Sequence, residues 1–134
     1  MITLDQARTI IRAALDFGQD QGLKPLSVAV IDGGGHLLAF ERQDGASPGR
    51  FEIARGKAYG AVMLGMPGSA QMARAEEQAY FMAAVNGAVG GKVVPAPGGG
   101  LVIDAAGAVI GAVGVTGDTS DNDAAAAQAG IAAA

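Results

Sequence analysis

Cysteine is absent from this chain of 134 residues, which excludes disulfides, thiolate metal sites and cysteine nucleophiles. Tryptophan is also absent, aromatics are 4% of the residues, and His36 is the only histidine. With no second imidazole or thiolate, a usual zinc site cannot be completed, and any proton transfer by an imidazole falls to His36. Basic blocks are missing too. The net charge is −4, the pI is near 4.7, and no aromatic residues interleave with cations. That balance argues against nucleic acid or an anionic membrane as partner. No apolar run approaches the ~18 residues of a membrane span. The first residues, Met1 to Arg8, are amphipathic without a basic leader and apolar block, so no signal peptide is expected and a cytoplasmic setting is.

Small residues fill the space that aromatics leave. Alanine accounts for 29 of the 67 apolar residues, and there are 22 glycines. The length corresponds to one domain, 1–134, able to bury roughly two-thirds of its unfolded surface. Alanine burial releases little free energy, whereas Val, Leu, Ile and Phe give about 1.5–3 kcal/mol each. Ordering the backbone costs about 1–2 kcal/mol per residue. A homo-oligomer that buries further apolar surface is therefore expected.

One pattern occurs twice, 72 residues apart. Val28 to Asp32 is an apolar run ending in aspartate, followed by Gly35 and a second apolar run to Phe40. Leu101 to Asp104, Gly107 and the run to Val113 repeat it. An aspartate can bond nearby backbone N–H groups, and a glycine three residues later takes positive φ without a Cβ clash. Two hairpins among helical segments predict an α/β domain with a largely antiparallel sheet.

Ahead of the first hairpin, Thr3 with Gln6 forms a capping-box signature before Leu4, Ala7, Ile11 and Ala14 at helical spacing, which predicts a helix to about Gln19. Ser47-Pro48 reads as the start of a helix ending at Gly65. Ser69 opens another through Met72, Ala75, Ala79 and Ala83. Lys92-Val-Val-Pro95 reads as a short edge strand, where proline is tolerated. Thr119 or Ser120 caps a closing helix from about Asp121 to Ala133.

Several constellations carry both a chemical and a plain reading. Gly45-Ala-Ser47-Pro-Gly49 matches the nucleophile-elbow spacing, but the only histidine precedes the serine, and Pro48 makes Ser47 a natural helix cap. Asp118 to Asp123 is dense in carboxylates; as a calcium loop it lacks the glycine and glutamate at the required places, and it reads either as a cap with favourable helix-dipole placement or as a polar ligand contact. Gly98-Gly99-Gly100 and Gly114-Val-Thr116-Gly117 either admit an anion to backbone N–H groups or serve turn geometry. Arg42, Arg55 and Lys57 can hold a carboxylate, with Glu41, Asp44 and Glu52 beside them, or they form salt bridges on a solvated face.

Four segments in order carry a family resemblance: Leu26 to Ala46, Ile53 to Ala58, Pro97 to Ile103, and Val109 to Gly117 followed by Asp121-Asn-Asp123. Together they resemble the GlcG/HbpS family of haem-degrading domains and are similar to the C-terminal domain of PduO-type cobalamin adenosyltransferases. The resemblance spans about Met1 to Ile131. It implies a profilin-like α+β fold, a five-stranded antiparallel sheet with helices on both faces, and assembly as a tetramer or octamer. It also implies a binding module for haem or a small organic acid, near the first hairpin and a subunit interface. Arg42, Arg55 and Lys57 would neutralise carboxylates, with Asp44, Gly98, Gly99, Gly100 and Thr116 lining the pocket and His36 as axial ligand or proton donor. The alternatives are a catabolic enzyme using His36 or Glu52 as base with a cation stabilising the oxyanion, and an oligomeric scaffold without chemistry.

Overall fold

The computed structural model describes residues 1–134. Helix α1 (Leu4–Asp20) begins at a complete capping box: the Thr3 hydroxyl accepts from Gln6 N at 3.1 Å, and Gln6 Oε1 accepts from Thr3 N at 2.9 Å. Strands β1 (Ser27–Asp32) and β2 (Leu37–Arg42) follow, then α2 (Arg50–Leu64), α3 (Gly68–Glu77) and α4 (Ala79–Ala88). Strands β3 (Gly99–Ile103) and β4 (Val109–Thr116) lead into α5 (Ser120–Ala133).

The sheet is antiparallel, with strand order β2-β1-β4-β3. Side chains alternate between its faces. Val28, Val30, Val113 and Val115 meet Ile10, Ile11 and Ala14 of α1 and Ala126 and Ala127 of α5, forming the larger core. The opposite face presents Ile31 and Ala112 to Ala58 and Ala61 of α2. Small residues on both sides let α2 lie unusually close to β4: the site of a Cβ on Gly114 is taken by the Ala54 carbonyl.

Three expectations are corrected. The sheet has four strands, not five. Lys92 to Pro95 is not a strand, because Pro95 and Pro97 carry no N–H to build a ladder. The segment instead runs against α2, where Val94 N donates to Gly56 O at 3.1 Å. The helix expected to run from Ser69 to Ala83 is broken at Gln78, whose φ of −138° and ψ of 63° are non-helical. Arg74 braces the break, bonding Gln78 Oε1 through Nε and lying 4.3 Å from the Phe81 ring centroid. No helix is long and apolar enough to cross a membrane.

Candidate functional site

The residues singled out in the sequence fall into four places. Lys57, Gly98, Gly99 and Thr116 meet in the interior, where α2 crosses the end of β4. Lys57 is buried, and its Nζ donates to Val115 O at 2.9 Å and to Asp123 Oδ2 of α5 at 3.1 Å. A Cβ on Gly98 would stand 3.0 Å from Lys57 Nζ, and one on Gly99 would meet Lys57 O at 2.5 Å. A Cβ on Gly100 would lie 2.7 Å from Ile131 Cδ1. These glycines admit neighbouring side chains and backbone to close range. Thr116 Oγ1 accepts from Arg50 Nη1 at 2.7 Å. Burial pushes the Lys57 ammonium below its ordinary pKa and the Asp123 carboxyl above its own, in each case against the attraction of the partner.

Asp123 also accepts from Asp118 N at 2.9 Å, which links this pair to a surface loop. The Asp118 carboxylate accepts from Asn122 Nδ2 at 2.7 Å, Thr119 N at 2.8 Å and Lys24 N at 2.9 Å. Led by Asn122, these donors hold its pKa down at about 2. A folded pKa below the ordinary 3.8 means that the contribution of Asp118 to stability is present above that value and is lost as pH falls toward about 2. Carboxyl-carbon NMR is expected to show this midpoint, and in Asn122→Ala it should move up toward the ordinary value.

The hairpin tips form the second place. Asp32 Oδ1 accepts from Gly34 N at 2.9 Å and His36 N at 3.0 Å, and Asp104 Oδ1 accepts from Ala106 N and Ala108 N, both at 2.9 Å. The two turns border a cleft of about 550 Å³ together with Met1, Val109 and Ile110. His36 Nδ1 lies 3.3 Å from Asp32 Oδ1, and the ring is largely exposed. This engages one ring nitrogen and leaves Nε2 without a partner in the chain. The backbone N–H of His36, foremost, holds the Asp32 carboxyl below its ordinary pKa. No group of three or more His, Asp or Glu side chains is gathered to hold a metal ion.

Arg42 and Asp44 lie in a third place, a cleft of about 460 Å³ beside Gln19, Leu23 and Pro25. Arg42 Nη1 donates to Ala46 O at 2.8 Å. His36 and Arg42 are at opposite ends of β2, ~20 Å apart at the usual strand rise. Glu52 and Arg55 occupy the fourth place, a groove on α2 shared with Lys92. Sequence reasoning missed Arg50, Asp123 and Lys92 as partners in these groupings. The available signal was Lys57 itself, a lone cation among Ala54, Gly56, Ala58 and Ala61 on a helix face that must be buried.

A haem group asks for an axial ligand, an apolar wall and cations for two propionates. The hairpin-tip cleft supplies the first two through His36 and through Val109 and Ile110, but its charged side chains besides His36 are Asp32 and Asp104. The fit is therefore partial within one protomer, and the missing groups are cations.

The antiparallel sheet with helical layers on both faces defines a profilin-like α+β fold. A family model described as haem-degrading protein HbpS-like matches residues 2–132, and the chain belongs to that family. Among solved structures, a PduOC–haem complex is 26% identical with a TM-score of 0.86, covering 99% of this chain and 94% of that one. HbpS is 33% identical with a TM-score of 0.83, covering 98% and 88%. The protein ORFY of Klebsiella pneumoniae is 27% identical with a TM-score of 0.86, covering 98% and 89%. The comparison with curated proteins finds no match.

Proposed function

We propose that this protein binds haem at an edge completed by a second copy of the chain, with His36 Nε2 as the iron ligand. The observation that carries this reading is the likeness, over 99% of the chain, to a domain solved as a haem complex. The Asp32–His36 contact supports it, because a bonded Nδ1 leaves Nε2 as the free ligand atom. The need for a second copy follows from charge. The His36 cleft offers two carboxylates and no side-chain cation for the propionates, and Arg42 of the same chain is too distant. Arg42 of an adjacent protomer meets that need, since its guanidinium is exposed and bonded only once.

Assembly as a tetramer or octamer also fits the surface. Helix α4 carries no charged residue and buries only Met82, while Tyr80 is 73% exposed. Bound haem would supply an iron centre; the chain's own contribution is to hold and orient it. Haemin titration is expected to give a saturable Soret shift that weakens about tenfold or more in His36→Ala, as loss of ~1.4 kcal/mol or more requires. Arg42→Gln should weaken it to a lesser extent. Light scattering on the loaded protein should show an oligomer. An unchanged titration in His36→Ala removes the ligand role, a haemin-loaded monomer removes the shared site, and absence of saturation overturns haem binding altogether.

A further inference from the structure

A groove of about 290 Å³ lies between α2 and the segment from Gly91 to Val94, and it shares no lining residue with the hairpin-tip cleft. Both of its walls are fixed. Val93 N donates to Asn86 Oδ1 at 2.9 Å, and Val94 N donates to Gly56 O. A Cβ on Gly56 would stand 2.6 Å from both Lys92 O and Val94 Cγ2, so only glycine lets the segment seat there. Gly90 and Gly91, with φ of 97° and 78°, turn the chain into this position.

Two cations reach the groove, and neither belongs to either ion pair of the chain. The Arg55 guanidinium is 5.1 Å from the Phe51 ring centroid, and its buried Nε has no hydrogen-bond acceptor in the chain. Lys92 Nζ is 5.9 Å from the Tyr59 ring centroid, and that ring is itself held by its hydroxyl, which donates to Val89 O at 2.6 Å. Glu52 stands in the same groove. Two cations and one carboxylate leave an excess of one positive charge, in a protein whose net charge is −4.

The geometry points to a binding site for a small carboxylic acid that carries a hydroxyl or ammonium donor on a neighbouring carbon. The outer guanidinium nitrogens of Arg55 present a planar donor edge suited to a carboxylate. Lys92 adds a point charge, and Glu52 accepts from the ligand's own donor. A phosphate dianion finds the same cations, but it brings a second negative charge against Glu52. The volume, at the low end of the ~300–1,000 Å³ of small-molecule sites, suits a compact acid. The inference does not depend on haem binding, because none of these residues belongs to the His36 cleft.

NMR titration of the full chain with lactate, propanoate and inorganic phosphate tests it. Lactate should shift the Arg55 Nε–Hε and Lys92 amide signals saturably, with propanoate weaker and phosphate weaker still. Arg55→Gln should weaken lactate binding about tenfold, the effect of losing one charge-assisted bond. Lys92→Gln, on the exposed side of the groove, should weaken it less and provides the reading if Arg55→Gln does not fold. Phosphate binding as tightly as lactate, lactate binding unchanged in the folded variants, or no saturable shift at these signals would each overturn the site.

Discussion

Lys57→Met is expected to lower the unfolding free energy by about 3–5 kcal/mol, the range found when one member of a buried ion pair is removed. The substitution keeps an apolar stem of similar length and deletes only the ammonium. What remains is Asp123, buried beside the end of β4, with one oxygen bonded by Asp118 N and the other stripped of its donor. Val115 O loses a donor as well. The pair is not a strong net source of stability. Burial is the leading cause of both pKa shifts and outweighs the mutual attraction, disfavouring the charged form of each group. The damage in the single variant therefore comes from the stranded carboxylate.

Lys57→Met combined with Asp123→Asn should recover part of the loss, because asparagine keeps a neutral acceptor for Asp118 N and leaves no buried charge. Urea midpoints for the two singles and the double, all at pH 7, give the coupling directly. A double variant as unstable as the sum of the singles would rule out this account. In Lys57→Met, Asp123 should bind its proton still more tightly, since its attracting partner is gone. The variant's deficit against the parent should shrink as pH falls and the carboxyl is neutralised.

Local features were legible because their partners are close in sequence. The Thr3–Gln6 box needs residues three apart, and the antiparallel sheet follows from apolar runs separated by turns. The missing fifth strand shows where local pattern stops. Val93 and Val94 have strand character, but a ladder needs donors that Pro95 and Pro97 lack, and Gly56 of α2 offers the alternative acceptor. The break at Gln78 is set by Arg74 and Phe81 folding over it, which no spacing rule reveals.

The candidate site was less legible for the same reason. Lys57 and Asp123 are 66 residues apart, so the closeness of the Arg42, Arg55 and Lys57 numbers concealed three different destinations. Arg42 ends an outer strand of the sheet. Arg55 and Lys57, only two positions apart on α2, point to different sides of it. One reaches the groove with Lys92, and the other reaches the interior with Asp123.

Gly114→Ala is expected to destabilise the fold by about 3 kcal/mol, the upper end of the range for overpacking a core. The added methyl would fall on the Ala54 carbonyl and stand 2.9 Å from Ala58 N. Both obstacles are backbone atoms of a 15-residue helix, so no rotamer change relieves the contact. Helix α2 must lift or tilt as a body, loosening Ala58 and Ala61 from Ile31 and Ala112. Gly49→Ala is the control, because a Cβ there meets nothing within 4 Å and its φ is −70°. It should change stability by no more than about 0.5 kcal/mol, as surface substitutions usually do.

The same lift carries consequences beyond stability. Helix α2 bears Glu52 and Arg55 on one side and Lys57 on the other, while Val94 is tied to its Gly56 carbonyl. A displaced helix therefore opens the lactate groove and strains the buried pair together, while it reaches the hairpin tips only where Tyr59 and Met63 pack on Gly35. In Gly114→Ala, lactate affinity should fall further than haemin affinity, measured at a temperature where the variant remains folded. Equal losses for both ligands would mean that the close seat of α2 on β4 sets the whole sheet and not this layer alone.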